Sequence, residues 1–188
     1  MFTSALAVRR LPRVRLRLTA PQLTVFNDPS RFRILLAGRR FGKTWLSRAE
    51  IFAHAATHPL SLTVYLAPSR VQAKQLMWDS LKFLIPPSLV SKKEEVDLKI
   101  ILVNGAQILL RGAENETGLR GLGISFVVLD EAAFMAPTVF SDVVRPALSD
   151  HRGRALFIAT PSPDWNWFHD LSIRNRGVSG WAYHEYTT

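Results

Sequence analysis

Cysteine is absent from this chain of 188 residues. Its absence excludes a disulfide framework and any metal site built from thiolates, and it fits a reducing compartment. Long apolar runs are absent as well, since none approaches the roughly 20 residues that a membrane-spanning helix needs. We therefore expect a protein without a membrane partner.

Acidic residues are scarce at the start of the chain. Residues 1–50 hold ten Arg and one Lys against two acids, whereas residues 51–188 hold thirteen bases and thirteen acids. The whole formal net charge of +9 thus comes from residues 1–50. A basic face of this kind predicts a polyanionic partner, nucleic acid above all. The candidate contacts are Arg9, Arg10, Arg13, Arg15 and Arg17. Alternatively, part of the charge serves the phosphates of a nucleotide, and the rest reflects an Arg-rich composition.

The length predicts one domain, in which apolar strands alternate with helices. Strands are predicted at residues 14–18, 32–37, 62–67, 126–131, 155–159 and 181–186, and helices from Thr19 and at residues 44–58, 70–84, 139–148 and 165–171. The dipeptide Asn104-Gly105, between apolar runs at residues 99–103 and 106–111, predicts a β-hairpin. Strands separated by helices predict a three-layer α/β fold, whose mostly parallel central sheet carries the hairpin as an antiparallel addition.

The most informative stretch is residues 34–44, where an apolar strand runs into a Gly-rich loop ending in Gly42, Lys43 and Thr44. The amides of the helix that follows would point at the same spot, which makes a cradle for a polyphosphate. In such a cradle Lys43 reaches the terminal phosphates and the Thr44 hydroxyl ligates Mg²⁺. The general pattern GxxxxGK[ST] is matched imperfectly, because Ala37 stands where the first Gly belongs. The alternative is an ordinary strand-to-helix turn.

A second motif is the run of four apolar residues at 126–129, which is followed by Asp130 and Glu131. The pattern is typical of a buried parallel strand with carboxylates at its C-terminal end, where open α/β sheets bind ligands. Asp130 would hold Mg²⁺ through its water shell, and Glu131 would activate the attacking water. Alone, such a pair can be a solvated strand end. Together with the loop, the pair favours a nucleotide hydrolase.

These motifs resemble those of the ATPase domain of the large terminase subunit, the DNA-packaging motor of tailed bacteriophages, from about Leu18 to the end of the chain. The loop of that family is typically Ser or Gly, then Arg, two variable residues and GK[ST]. The residues that fit this form are Gly38, Arg39, Arg40, Phe41, Gly42, Lys43 and Thr44. The resemblance implies a P-loop NTPase of the ASCE type, with ATP on these loop residues and Mg²⁺ at Thr44 and Asp130.

The resemblance assigns further roles. Gln22, after Thr19-Ala20-Pro21, resembles an adenine-recognition residue, the alternative being a Gln on a helix surface. Arg120 resembles an arginine finger that acts on the neighbour's nucleotide across a ring; otherwise it is solvated or contacts DNA. Arg39 is the competing or complementary sensor of the γ-phosphate. Thr160, at the end of the 155–159 strand, resembles the residue that couples hydrolysis to movement, unless it only caps the following turn.

Two other groups of residues predict no function. His54 and His58 are four residues apart but lack the Glu of a zinc-protease motif, so no metal site is predicted there. The aromatic residues Trp165, Trp167 and Phe168 indicate core packing rather than a base-stacking surface.

Large terminases normally continue into a nuclease domain, whereas this sequence stops at Thr188 without three convergent carboxylates after Glu131. We therefore expect a single ATPase domain over residues 1–188, with a basic segment at 1–18 and no DNA cleavage; a fragment, a split gene and a prophage remnant are all compatible with this. The resemblance implies ATP and Mg²⁺ as cofactors. It implies double-stranded DNA, a homo-oligomeric ring, the portal protein and the small terminase subunit as partners, in the cytoplasm of the bacterial host. A helicase-like translocase and an inactive remnant are the alternatives.

Overall fold

The computed structural model describes residues 14–161 and 166–186, and the statements below refer to these ranges. The strands are β1 Phe32–Ala37, β2 Leu62–Ala67, β3 Val90–Glu94, β4 Lys99–Leu102, β5 Gln107–Gly112, β6 Phe126–Asp130, β7 Arg154–Ala159 and β8 Trp181–Tyr186. The helices are α1 Ala20–Asn27, α2 Lys43–Thr57, α3 Arg70–Ala73, α4 Asp79–Leu84, α5 Arg145–Ala147 and α6 Trp167–Arg174. A π-helical turn, Lys74–Trp78, joins α3 to α4, and another, Val139–Val144, leads into α5.

Within the described ranges the eight strands form one sheet in the order β3-β4-β5-β2-β6-β7-β1-β8. Strands β5, β2, β6, β7, β1 and β8 pair in parallel, whereas β3, β4 and β5 pair antiparallel. The predicted fold class and the hairpin at Asn104-Gly105 are therefore confirmed. Because β1, β6 and β7 are parallel neighbours, their C-terminal ends lie at one edge, where the register pairs Asp130 with Ile158 and Leu36 with Ala159.

Two apolar clusters cover the faces of the sheet. One is formed with α1, α2, α3 and α4 and includes Tyr65, Trp78 and Phe126. The other is formed with the helical stretch 139–147 and α6 and includes Phe157 and Phe168. Phe168 is buried and Trp167 packs against its cluster, as predicted; Trp165 lies outside the described residues. None of the helices in these ranges combines the length and the apolar character that crossing a bilayer requires.

Two sequence interpretations of strands differ from the structure. The stretch from Val14 to Leu18 is extended but pairs with no strand of the described sheet, so its assignment as a strand is wrong. Its alternation comes from packing, since Val14, Leu16 and Leu18 lie against the core while the intervening Arg side chains are exposed. Strand β3 was not predicted. It is a largely exposed edge strand of sequence VSKKE, so it carries no apolar alternation.

A buried ion pair joins the elements on either side of the predicted phosphate loop. Arg33 on β1 and Glu50 on α2 are 1% and 7% exposed, and their side chains form two hydrogen bonds of 2.6 and 3.0 Å. Arg33 also donates to the carbonyl of Val25 in α1, at 2.7 Å. Burial raises the pKa of Glu50, and the guanidinium opposes that rise. One side chain therefore ties together α1, β1 and α2.

Removing one partner of this pair should be strongly destabilising. In Glu50→Ala, Arg33 remains as a buried charge without its carboxylate, so we expect the free energy of unfolding to fall by about 3–5 kcal/mol. Urea denaturation followed by circular dichroism measures the change. Lys92→Ala, which breaks an exposed pair with Glu94, should have almost no effect. Equal effects of the two substitutions would contradict this account of the pair.

His54 should make the stability depend on pH. Burial, and then the positive charges of His58, Arg154 and Arg33, lower the pKa of His54 from 6.5 to about 4. Between these two values the unfolded chain binds a proton that the folded chain does not, so the free energy of unfolding falls as the pH falls through this window. The loss should reach about 2–3 kcal/mol near pH 4.

Urea titrations at several pH values test this dependence. In His54→Gln the free energy of unfolding should fall less between pH 6.5 and 4 than in the wild type, because the contribution of His54 is removed; His151→Gln, at an exposed position, serves as the control. An unchanged slope in His54→Gln would show that other groups cause the dependence.

Candidate nucleotide-binding site

The predicted phosphate loop spans residues 38–42, between the buried strand β1 and helix α2. Two of its residues adopt left-handed backbone conformations, Arg40 with φ 71° and Gly42 with φ 84°. Gly42 directly precedes the first turn of α2, whose free amides point toward the loop. The backbone thus has the form of a cradle for anions.

Gln22 holds the C-terminal end of this loop from behind. Its side-chain nitrogen donates to the carbonyls of Phe41, at 2.8 Å, and Gly42, at 3.4 Å, while its oxygen accepts from the amide of Thr19. It is 4% exposed, so it does not lie on a helix surface. These bonds engage both ends of the Gln22 amide, which are the groups that would bind an adenine edge. A role for Gln22 in adenine recognition stays a prediction.

Lys43 is the first residue of α2, and its side chain reaches back to the start of the loop. Its ammonium donates to the carbonyls of Ala37, at 2.7 Å, and Gly38, at 3.1 Å. Burial lowers the pKa of Lys43 and the nearby Arg39 lowers it further, whereas the charges of Glu131 and Asp130 raise it. This ammonium is thus held inside the loop with both carboxylates close enough to influence it.

Asp130 ends β6 and is 4% exposed. One carboxylate oxygen accepts from the hydroxyl of Tyr65 on β2, at 2.7 Å, and the other accepts from the amide of Glu131, at 3.0 Å. Burial raises the pKa of Asp130, and the hydrogen bond from Tyr65 opposes that rise. Burial and the adjacent Asp130 also raise the pKa of Tyr65, so its hydroxyl keeps its proton at neutral pH and acts as the donor.

Glu131 and Thr160 meet at the adjacent strand ends. Glu131 has a left-handed backbone, with φ 51° and ψ 44°, which turns the chain sharply after β6. The hydroxyl of Thr160, just after β7, lies 3.4 Å from a carboxylate oxygen of Glu131 and is placed to donate to it. A displacement of one of these side chains would therefore reach the other directly.

The loop and the strand ends enclose a cavity of about 590 Å³, which is in the usual range for small-molecule sites. The lining residues are Arg39, Arg40, Gly42, Lys43, Thr44, Glu131, Phe134, Thr160 and Pro161. Three cationic side chains and one carboxylate suit a polyphosphate next to a group that activates water. The hydroxyl of Thr44 and the carboxylate of Asp130 are oxygen ligands of the kind that Mg²⁺ takes, so the residues present fit that ion.

Some predicted site residues lie elsewhere. Arg120 is exposed and lines a separate groove with Asp142 and Asp150, so it does not line this cavity. Arg15 and Arg17 are exposed. The other three predicted DNA-contacting residues, Arg9, Arg10 and Arg13, lie outside the described residues. The DNA contact therefore stays a prediction.

Three residues near the cavity were missed by sequence reasoning. Tyr65 lies in a mostly apolar strand, and the one sequence signal for its contact with Asp130 is that a buried hydroxyl needs a partner. The other two residues follow no recognisable sequence pattern. Phe134 is 76% exposed at the cavity wall, and the ring of Tyr186 stacks on that of Phe41 at 5.0 Å.

The strand order defines the class of this domain. β7 lies between β1, which carries the phosphate loop, and β6, which carries the acidic pair. An additional strand in this position, with a Glu after the acidic strand, defines a P-loop NTPase domain of the ASCE type.

Comparison with known families then gives the family. The family described as "Terminase large subunit, T4likevirus-type, N-terminal" matches residues 34–186. The chain belongs to this family, and the resemblance found in the motifs is confirmed.

Curated relatives include the large terminase subunits of Thermus phage G20c and Escherichia phage T5. The first is 29% identical over 171 residues, covering 81% of this chain and 35% of the relative. The second is 30% identical over 159 residues, covering 80% and 36%. The chain thus spans about a third of the length of the curated relatives it matches.

Solved structures agree on the fold. The large terminase ATPase domain of Thermus phage P74-26 superposes with a TM-score of 0.78 at 22% identity, covering 90% of this chain and 81% of that one. The large terminase of a thermophilic bacteriophage, solved in complex with ATP-gamma-S, gives a TM-score of 0.74 at 16% identity, covering 90% and 44%. At these identities the likeness concerns the fold alone.

The contact between Gly42 and Gln22 predicts the effect of adding one methyl group. A Cβ at Gly42 would lie 2.6 Å from the side-chain nitrogen of Gln22, on a backbone with positive φ. Gln22 would have to release the loop, so we expect Gly42→Ala to weaken binding of a fluorescent ATP analogue at least about tenfold, roughly 1.4 kcal/mol.

Gly177→Ala is the matched control, since its φ of 76° imposes the same backbone strain but a Cβ there meets nothing within 4 Å. This control should bind the analogue like the wild type. Equal losses of affinity in the two variants would mean that strain or unfolding, rather than the Gln22 contact, is responsible.

Proposed function

We propose that this chain is the Mg²⁺-dependent ATPase module of a viral DNA-packaging motor, which couples ATP hydrolysis to the movement of double-stranded DNA into a procapsid. The observation that carries the proposal is the single cavity shared by Lys43, Thr44, Glu131 and Thr160. Residues for phosphate binding, metal binding, water activation and coupling thus meet in one place. Membership of the large terminase family supports the DNA-packaging context.

In the proposed reaction, the amides of the loop and the ammonium of Lys43 bind the β- and γ-phosphates. Thr44 and Asp130 hold Mg²⁺, which neutralises charge on the phosphates when it is bound. Glu131 accepts a proton from the attacking water and orients it, and Arg39 at the cavity wall stabilises the charge on the transferred phosphoryl group.

Thr160 provides the proposed link from chemistry to movement. Its hydroxyl is placed to donate to the same carboxylate that acts on the water. Hydrolysis changes the charge next to Glu131, and a shift of that carboxylate reaches β7 through this contact. The exposed side chains of Arg15 and Arg17 are suited to binding DNA phosphates. Such contacts carry no base-sequence information, so little base specificity is expected.

We further propose that Arg120 acts in trans. The support for this is its location, because an exposed residue that lines another groove lies at a surface that a neighbouring subunit can contact. In a homo-oligomeric ring on the portal protein, assembled with the small terminase subunit, such an arginine would complete the next site. Arginine fingers raise rates by roughly 10³ to 10⁵.

The decisive test is the steady-state rate of ATP hydrolysis per chain, with Mg²⁺ and duplex DNA, as a function of protein concentration. Lys43→Ala serves as the blank. We expect the rate per chain to rise with concentration, because each subunit completes its neighbour's site.

Glu131→Gln should bind ATP but lose turnover by at least about a hundredfold. Wild-type turnover in Glu131→Gln would contradict the proposed function, and supercoiled plasmid in the same assay should stay uncut.

Mixing two inactive variants provides the control for Arg120. Glu131→Gln keeps Arg120 but lacks the catalytic carboxylate. Arg120→Ala keeps the carboxylate of Glu131 but lacks the arginine. If Arg120 acts across an interface, the mixture should recover part of the wild-type rate. A mixture as inactive as its components would contradict action in trans while leaving the ATPase assignment intact.

A further inference from the structure

Tyr65 is one of two residues on β2 that carry a buried hydroxyl; the other, Thr63, is paired with His54 at 3.0 Å, on a different part of the sheet from Asp130. On β2 it lies between Val64 and Leu66, and all three are fully buried. Its ring belongs to the apolar cluster on the α2 face of the sheet. A Phe would fill the same space, so packing accounts for the ring and leaves the hydroxyl to be explained.

The hydroxyl donates to Asp130 at 2.7 Å. Strands β2 and β6 are parallel neighbours, and Tyr65 pairs with Val128 in their register. Asp130 lies two residues further along β6 on the same face of the sheet, and the tyrosine side chain is long enough to reach its carboxylate. The second oxygen of Asp130 accepts from the amide of Glu131 at 3.0 Å. Both oxygens of the carboxylate are therefore fixed, one by the tyrosine and one by the backbone.

We propose that Tyr65 is a positioning residue, which holds the Asp130 carboxylate in the orientation that the metal ion requires. This inference rests on the proposed function, since it assumes that Asp130 holds Mg²⁺. Tyr65 lies behind the carboxylate and is absent from the cavity lining, so it touches neither the nucleotide nor the metal.

The physical argument concerns rotation. A carboxylate with one backbone partner can turn about its terminal torsion, which is broad. A second donor on the other oxygen removes that freedom. A tyrosine is well suited to this task, because its ring is rigid and packed, so the position of its oxygen is set by the sheet. Partners of this kind behind a metal ligand typically change affinity for the metal by about 10–100-fold.

The experiment compares Tyr65→Phe with Tyr183→Phe. The control is closely matched, because Tyr183 also donates to a carboxylate, that of Glu185, at 2.8 Å, but at the surface on β8. Binding of Mn²⁺ in the presence of ADP is measured by electron paramagnetic resonance. We expect Tyr65→Phe to weaken Mn²⁺ binding about tenfold and Tyr183→Phe to leave it unchanged.

A second readout separates positioning from a general loss of structure. In the ATPase assay, Tyr65→Phe should raise the Mg²⁺ concentration needed for half-maximal rate about tenfold, while kcat at saturating Mg²⁺ stays within about twofold. A general loss of structure would lower kcat and would not be corrected by more Mg²⁺.

A third measurement needs no variant. In the wild-type protein without nucleotide, the hydroxyl proton of Tyr65 should exchange with water slowly enough to give its own nuclear magnetic resonance signal, unlike that of Tyr183. Exchange as fast as that of Tyr183 would overturn the proposal even if Tyr65→Phe failed to fold.

The outcomes distinguish the inference from the proposed function. Wild-type protein that binds Mn²⁺ with ADP, together with Tyr65→Phe that binds it equally well, would overturn the role of Tyr65 alone. Wild-type protein that binds no Mn²⁺ under these conditions would overturn the proposed function, and the inference with it.

Discussion

The ion pair between Arg33 and Glu50 sets the distance between the two elements that carry the phosphate loop. Arg33 lies five residues before the loop on β1, and Glu50 lies two turns into α2. The loop must close the gap that remains between strand and helix. Because the guanidinium also binds the end of α1, the same contact positions the helix that carries Gln22. The loop is thus held at both ends and from behind by contacts that never touch the cavity.

Charge in the cavity is arranged by burial. The cationic side chains of Arg39, Arg40 and Lys43 line it, whereas Asp130 is withdrawn behind the wall and Glu131 is exposed to the cavity. Two adjacent carboxylates in one sequence motif therefore occupy different environments. The buried carboxylate is fixed by two hydrogen bonds, and that of Glu131 lies 3.4 Å from the hydroxyl of Thr160. Such a difference suits one residue for binding a metal ion and the other for proton transfer.

The sequence predicted most of the fold, because in each predicted strand and helix the apolar pattern agrees with the core that the element joins. Val14–Leu18 shows the limit of this reasoning, since alternating burial needs only a surface to pack on and does not require a hydrogen-bonded neighbour. Strand β3 shows the opposite limit, since an edge strand in water needs no apolar pattern. Within the site, several residues that follow local motifs line one cavity, as Lys43 and Glu131 do, and their roles stay predictions. Tyr65 was missed because its role depends on strand order, which no local pattern encodes.

The last strand is joined to the loop in a way that concerns how this domain evolves. Tyr186, at the end of β8, accepts a hydrogen bond from the amide of Gly38 at 3.1 Å and stacks its ring on Phe41 at 5.0 Å. The backbone contact tolerates any residue, whereas the ring contact requires two flat side chains of matching size. Positions 41 and 186 are far apart in the chain but share one surface. Positions 41 and 186 should therefore covary in evolution. The phosphate loop thus constrains the sequence of β8, a strand that contains no nucleotide-binding motif.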